Sequence, residues 1–233
     1  LPYFFHPDIP DAAGMLILEE DSSKHIISVL RMQVGEEMML TDGKGARATA
    51  VITDDHRKKC AVRILHLDRI PGRRPRVTLA VSPLKNAARF EWLLEKATEL
   101  GVTAIIPLIC DRTEKAHLRK DRLTGILVSA MLQSRQSWLP ELPDPMPFPE
   151  YISGIGKMDA LKFIAHCEEG EKAELRSVLT VGDPDRVILI GPEGDFTHQE
   201  IEAALHAGTV PVSLGHTRLR TETAAIYAAS LLR

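Results

Sequence analysis

Two turns in the last fifty residues carry the residue types most able to do chemistry. Gly191-Pro192-Glu193-Gly194-Asp195-Phe196 follows the apolar run Val187–Ile190, and Thr197 with Glu200 has the capping-box pattern at the head of a helix expected over His198–Ala207 and stopped by Gly208. A turn between the carboxyl end of a strand and a helix N-terminus is where open α/β sheets hold ligands. Glycines at 191 and 194 let a cofactor approach backbone groups with no side chain between. The turn has no Gly-Lys-Ser/Thr ending of a phosphate loop and no Gly-x-Gly-x-x-Gly dinucleotide fingerprint. Taken alone, it fits a purely structural turn equally well.

The second turn shifts that balance. Val210–Leu214 reads as a strand leading into Gly215-His216-Thr217-Arg218-Leu219-Arg220-Thr221-Glu222-Thr223-Ala224, and an alanine-rich helix is expected over Ala224–Leu232. Thr221 is the expected N-cap, and Glu222 suits the positive end of the helix dipole. Arg218 and Arg220 read either as surface charge or as site residues, and Glu222 either as a helix-start residue or as a functional carboxylate.

The elements that must position these turns differ between the two parts of the chain. Up to about residue 70 the pattern is of short strands, Met15–Leu18, Glu37–Thr41, Ala46–Thr53 and Cys60–Leu67, with a hairpin at Asp42-Gly43-Lys44-Gly45. One short helix is expected over Ser22–Leu30, capped by Asp21 or Ser22. This pattern implies a compact β-barrel, followed by a linker at Arg69–Pro75. Strands and helices then alternate. Val77–Val81 and Thr103–Ile109 read as buried strands, Asn86–Leu100 as an amphipathic helix stopped by Gly101, and Leu118–Gln136 as a long helix. Lys162–Ala165 is a further strand, and Pro140–Pro149 reads as a surface connection rather than a domain boundary. The alternation predicts a mainly parallel sheet covered on both faces.

Composition sets outer bounds. In 233 residues, 44% hydrophobic and 26% charged residues with a net charge of −3 describe an ordinary globular chain. No apolar run approaches the roughly 18 residues of a membrane span. The opening Leu1-Pro2-Tyr3-Phe4-Phe5-His6 lacks the basic-then-apolar pattern of a secretory signal, so a cytoplasmic location is expected. Cys60, Cys110 and Cys167 are too widely spaced for a zinc site and are expected to be buried or semi-buried thiols; no metal is expected. Between His56 and Arg76 stand eight Lys or Arg residues and one acid. Such a run suits binding of a phosphate backbone, and it also suits a solvated linker.

The two turns together, Gly191-Pro192-Glu193-Gly194-x-Phe196 and Leu214-Gly215-x-x-x-Leu219-Arg220-x-Glu222-Thr223-Ala224, resemble the ribosomal RNA (uracil-N3) methyltransferases of the RsmE type, within the SPOUT superfamily. The resemblance extends over nearly the whole chain. It takes in His25 with Val29-Leu30-Arg31 and Gly35, Lys85 with Glu91, Lys96-Ala97 and Glu99-Leu100-Gly101-Val102, and Gln133-Ser134 followed by Leu139-Pro140. Two positions depart from the family pattern. Asp195 stands where Gly is common, adding a negative charge beside the turn, and Arg218 stands where an aliphatic residue is usual.

The resemblance implies an α/β protein with a PUA-like RNA-binding barrel over residues 1–70 and a SPOUT methyltransferase domain with a trefoil knot over 76–233. It implies a homodimer that methylates N3 of a uridine in 16S ribosomal RNA, near the decoding region of the small subunit, with S-adenosylmethionine as cofactor. Gly191, Pro192, Glu193, Gly194, Leu214, Gly215, Leu219, Thr223 and Ala224 would hold that cofactor. Arg220 is the candidate for stabilising the uracil anion, and Glu222 for accepting the N3 proton or orienting Arg220. Arg31, Arg57, Lys58, Lys59, Arg73 and Arg74 are the candidates for holding RNA phosphates. Two rivals share these residues: a related knotted enzyme acting on transfer RNA or 23S RNA, and a non-catalytic RNA-binding or assembly protein.

Overall fold

The computed structural model describes residues 1–11, 14–179 and 184–233. The chain forms two compact units, Leu1–Gly72 with Met131–Leu139, and Arg73–Ala130 with Pro140–Arg233.

The first unit is a five-stranded sheet of β1 (Tyr3–Phe5), β2 (Met15–Ile17), β3 (Glu37–Thr41), β4 (Ala46–Asp54) and β5 (Ala61–Arg69), in the order β1-β3-β4-β5-β2. Successive β4 side chains alternate across the sheet, so Ala46, Ala48, Ala50 and Ile52 all point inward. Small alanines on that face leave room for Phe4, Leu18, Ile26, Met38, Leu40 and Val62 to fill the interior. The hairpin at 42–45 forms as its glycines predict. Gly43 and Gly45 take φ of 69° and 99°, and the Asp42 carboxylate accepts from the N–H groups of Lys44 and Ala46 at 2.7 and 2.9 Å. Trp138 packs on the bare face of Gly45, where a Cβ would lie 2.6 Å from its ring, and its indole N–H donates to the Ile70 carbonyl at 3.0 Å. This packing brings residues 131–139 into the unit.

The short helix departs from expectation. It begins at Glu20 rather than Ser22, without a side-chain cap, as α1 (Glu20–Lys24), and continues as a π-helical turn over His25–Val29. Ser23, which a capped helix would leave near the surface, instead donates to the Leu18 carbonyl and accepts from the Cys60 N–H. These two bonds hold the helix to the chain just after β2 and just before β5. Arg31 follows at φ 57°, with the Met32 N–H bonded back to the Ile26 carbonyl, the closing geometry that glycine usually provides.

The second unit is a seven-stranded sheet in which every pair is parallel. Its strands are β6 (Val77–Val81), β7 (Ala104–Ile109), β8 (Met146–Pro147), β9 (Ala160–Ala165), β10 (Ala173–Glu174), β11 (Asp185–Ile190) and β12 (Val210–Ser213), in the order β10-β12-β9-β11-β6-β7-β8. Its helices are α2 (Ala87–Glu99), α3 (Lys120–Gln133), α4 (Phe148–Ile155), α5 (His198–His206) and α6 (Thr221–Leu232). Phe148, Ile152 and Ile155 of α4 and Ile201 and Ala204 of α5 share a core with Val187 and Leu189 of β11. Helices α2 and α6 pack together, and α6 also rests on β6 and β11. Both faces of β11 are therefore covered, which is why Val187–Ile190 reads as an unbroken apolar run. At the far end of α6, Arg186 of β11 donates to the Leu232 carbonyl at 2.7 Å.

The stretch Pro140–Pro149 lies near the surface except at Pro140 and Phe148, but it is more than a connection. The boundary between the units falls at its start, Glu141 exchanges backbone hydrogen bonds with Thr103 and Ile105, and the segment then supplies β8 and the first turn of α4. Prolines at 147 and 149 occupy the N-cap and first turn of a helix, where a missing N–H costs nothing. Among the described residues, no helix is long and apolar enough to cross a membrane.

Candidate active site

The site begins where β11 ends. Gly191 is buried, and a Cβ there would lie 3.0 Å from the Phe196 backbone nitrogen and 3.1–3.2 Å from its ring. The missing side chain lets the turn fold back on itself and seats Phe196, fully buried, against Phe148 at 5.7 Å between ring centroids. Asp195 has φ 64°, a conformation that glycine adopts freely and that Asp tolerates better than most residues. Its carboxylate accepts from the Cys167 N–H at 2.6 Å and from the Phe196 N–H at 2.8 Å, tying the turn to the chain just beyond β9. The charge flagged at this position is thus engaged with backbone donors.

Further bonds fix the turn from the sides. Thr197 and Glu200 make the expected capping box at the start of α5, and Glu200, itself buried, also accepts from the Asp111 N–H at 2.8 Å. Arg112 donates to the Gly194 carbonyl at 2.8 Å. The turn is held from β7, β9 and α5 together, the support a precise binding surface needs.

The second turn departs from expectation in its helix boundary. Helix α6 starts at Thr221, so Arg220 rather than Thr221 is the N-cap, and it makes no side-chain cap bond. Glu222 and Ala224 therefore lie in the first helical turn. Packing of this turn on α2 extends the helix toward its N-terminus. Glu222 is 8% exposed, and its carboxylate lies 3.7 Å from Nε of Arg89 on α2.

Both turns wall one cleft of about 420 Å³ at the carboxyl ends of β9 and β11. Gly191, Pro192 and Glu193 line it from the first turn, and Leu219, Arg220, Glu222 and Ala224 from the second. Gly194, Gly215 and Thr223 are exposed and Leu214 is half-buried; none of the four is among the described residues that line the cleft. The sequence reading also missed contributors. Arg89 and Ala165 come from α2 and β9, remote in sequence, and only the strand expected over Lys162–Ala165 pointed toward the second. Asp195 and Arg218, noted only as departures from a pattern, line the cleft as well.

Cys167 also lines it and is exposed, unlike Cys60 and Cys110, because it sits just past the end of β9. Partial burial, with the charge of Asp195 adding to it, pushes its thiol above the usual range. Burial pushes the Cys60 thiol up to about 11.

Three arginines and three carboxylates surround the cleft, and most are already engaged. Asp195 holds backbone donors, Glu193 accepts from the Lys85 N–H at 3.1 Å, and Glu222 faces Arg89. Arg218 and Arg220 form no ion pair among the described residues, so the mouth of the cleft presents positive charge. Among the described residues there is no cluster of His, Cys, Asp and Glu able to hold a metal ion.

The basic run divides between the two units. Arg57 and Lys58 border an open groove on the first unit with Lys24 and His25, while Arg31 and Lys59 are exposed elsewhere on it. Arg73 and Arg74 belong to the second unit. Arg73 donates to the Leu100 carbonyl at the end of α2, and Arg74 lies 3.2 Å from Asp185.

Residues 72–233 match the RNA methyltransferase domain family and residues 18–65 the RNA methyltransferase PUA domain family. Ribosomal RNA small subunit methyltransferase E of Rickettsia conorii is 30% identical over 93% of this chain and 88% of its own. The protein of that name from Mycobacterium tuberculosis is also 30% identical, over 97% of this chain and 88% of its own. A probable rRNA methyltransferase from Porphyromonas gingivalis superposes with a TM-score of 0.90 at 38% identity, covering 98% of this chain and 95% of that one. Ribosomal RNA small subunit methyltransferase E from Neisseria gonorrhoeae, solved bound to S-adenosylmethionine, gives 0.86 at 31% identity over 99% of this chain and 95% of that one.

Proposed function

This chain belongs to the RNA methyltransferase family, and from that premise we propose that it methylates N3 of a uridine in 16S ribosomal RNA, using S-adenosylmethionine. The observation that carries the reading is the convergence of two turns, 23 residues apart between Gly191 and Leu214, on one cleft at the carboxyl ends of β9 and β11. Its volume of about 420 Å³ lies in the range of small-molecule sites. Ala165, Ile190, Leu219 and Ala224 offer apolar walls suited to an adenine ring, and Gly191 has no side chain to obstruct them. The carboxylates of Glu193 and Glu222 suit a cationic cofactor. The residues therefore fit S-adenosylmethionine, which when bound supplies a methyl group activated by its sulfonium sulfur.

The remaining tasks fall to the chain. N3 lies on the Watson–Crick edge, so the uridine must be unpaired or extruded to reach the cleft. Arg220, free of ion pairs among the described residues, is proposed to stabilise negative charge on a uracil oxygen as the N3 proton leaves. Glu222 is the proposed acceptor of that proton. Its carboxylate faces Arg89 at 3.7 Å, and orienting Arg220 is its alternative role. Exposed Arg31, Arg57, Lys58 and Lys59 are proposed to hold neighbouring phosphates, with residues 1–70 as the RNA-binding barrel and 76–233 as the methyltransferase domain. We further propose a cytoplasmic homodimer and a knotted second domain, as membership of the family leads one to expect.

Calorimetric titration with S-adenosylmethionine is expected to give saturable binding, and none at millimolar cofactor would sink the enzyme reading. Small subunits from cells lacking the protein are expected to accept labelled methyl at uridine N3. Label at C5, on a ribose or on another RNA would refute the substrate.

A further inference from the structure

A second cavity, of about 300 Å³, opens beside the first turns of α2. Ala87, Phe90 and Glu91 face it, while Arg89, on the opposite side of the helix by the 100° step between residues, faces the active-site cleft. The outer wall is the segment leading into α3, with Lys115, His117, Arg119 and Arg122. Glu91 is the one carboxylate lining the cavity among the described residues, and Arg122 grips it with two bonds of 2.6 and 2.8 Å. Lys115, His117 and Arg119 form no ion pair among the described residues. The field of Lys115 and Arg119 registers on Glu91, whose carboxyl is held below the usual range first by the Arg122 hydrogen bond and then by the charges of Arg122, Arg119 and Lys115.

A short bridge joins this cavity to the active site. The Lys85 N–H donates to Glu193, which lines the cleft, and the Lys85 ammonium lies 2.7 Å from Glu114, next to Lys115. The unpaired cations Lys115 and Arg119, beside the His117 ring in an open, partly apolar cavity, suit a polyanion whose sugars and bases have apolar faces more than they suit a compact free anion.

Resting on the methyltransferase reading above, we propose that the cavity lined by Lys115, His117 and Arg119 seats backbone phosphates of the RNA next to the target uridine. The methyltransferase unit thereby grips its substrate directly, in addition to any hold by the barrel unit.

The test uses the full chain and a small-subunit RNA fragment carrying an unpaired uridine, with binding measured between about 50 and 200 mM salt. Lys115→Gln combined with Arg119→Gln is expected to weaken RNA binding about tenfold at low salt. It should also flatten the slope of log K against log salt by about 1.4, two lost contacts at about 0.7 each for single strands. Affinity for S-adenosylmethionine should stay within about twofold, because neither residue lines that cleft. Lys115→Arg with Arg119→Lys should retain the wild-type slope. Lys157→Gln with Arg176→Gln removes the same charge from other exposed positions and should change little. An unchanged slope in the first variant, or an equal loss in the last, overturns the inference. So does inorganic pyrophosphate binding wild type at the cavity while RNA binding ignores the substitutions. Loss of RNA binding in the first variant, with no methyl transfer by wild type, overturns the methyltransferase reading and upholds the phosphate seat. Intact methyl transfer with unchanged RNA binding overturns the seat alone.

Discussion

The carboxylate of Asp195 accepts the backbone N–H of Cys167 at 2.6 Å, so one side chain at φ 64° links the turn after β11 to the end of β9. Asp195→Ala loses this bond and the one to Phe196 and also places a Cβ residue in a left-handed conformation it tolerates poorly. A stability loss of about 1–3 kcal/mol is expected. Asp195→Asn, which keeps an acceptor and tolerates the conformation, should lose less. Thermal melts with and without S-adenosylmethionine check the order; equal losses for both variants would mean the bonds contribute nothing.

Gly191→Ala puts a methyl group 3.0 Å from the Phe196 backbone nitrogen, where nothing flexible can yield. We expect about 1–3 kcal/mol of destabilisation and cofactor affinity weakened at least tenfold, because Gly191 lines the cleft. Calorimetry and denaturant unfolding read the two effects separately. A normal cofactor affinity would show that the turn does not contact the cofactor.

Arg220→Ala is expected to lower turnover much more than cofactor affinity, and equal losses would reassign Arg220 to cofactor packing. Glu222→Gln should lower turnover by about a hundredfold or more if the carboxylate takes the N3 proton. Because Arg89 faces Glu222 at 3.7 Å, the double variant Arg89→Gln, Glu222→Gln should lose little beyond Glu222→Gln alone. Multiplicative losses in kcat would show that the two residues act independently.

A maleimide should label Cys167 and leave Cys60 and Cys110 untouched in the folded protein, since the latter two are buried. The thiolate is the reactive form, and Cys167 is pushed above its ordinary range by burial and by Asp195. Labelling should therefore be slow near neutral pH and keep accelerating above pH 9. Because Cys167 lines the cleft, saturating S-adenosylmethionine should protect it. Unprotected labelling would place the cofactor elsewhere.

Most strands and helices were legible because they depend on local period. The central parallel strands carry short apolar runs such as Ile105–Ile109 and Val187–Ile190, and Gly101 and the Thr197–Glu200 box mark helix ends that the fold respects. Reading failed where a distant partner decided. The first helix starts at Glu20 with no side-chain cap, so neither Asp21 nor Ser22 caps it, Pro147 and Pro149 begin α4 within the stretch read as a connection, and packing on α2 brings Thr221–Thr223 into α6. For the cleft, residues near the two turns could be named from their types. Arg89, Ala165 and Cys167 could not, because only tertiary folding brings the ends of α2 and β9 there.

Helix α2 presents Arg89 to one cavity and Glu91 to the other from opposite sides of a single turn. A displacement of that helix on filling one cavity would reach the lining of the other. Thermodynamic reciprocity then requires RNA to change the affinity for S-adenosylmethionine by the same factor as S-adenosylmethionine changes the affinity for RNA. The order in which the two ligands arrive would then leave their combined binding free energy unchanged, and the helix would set only the size of their cooperativity.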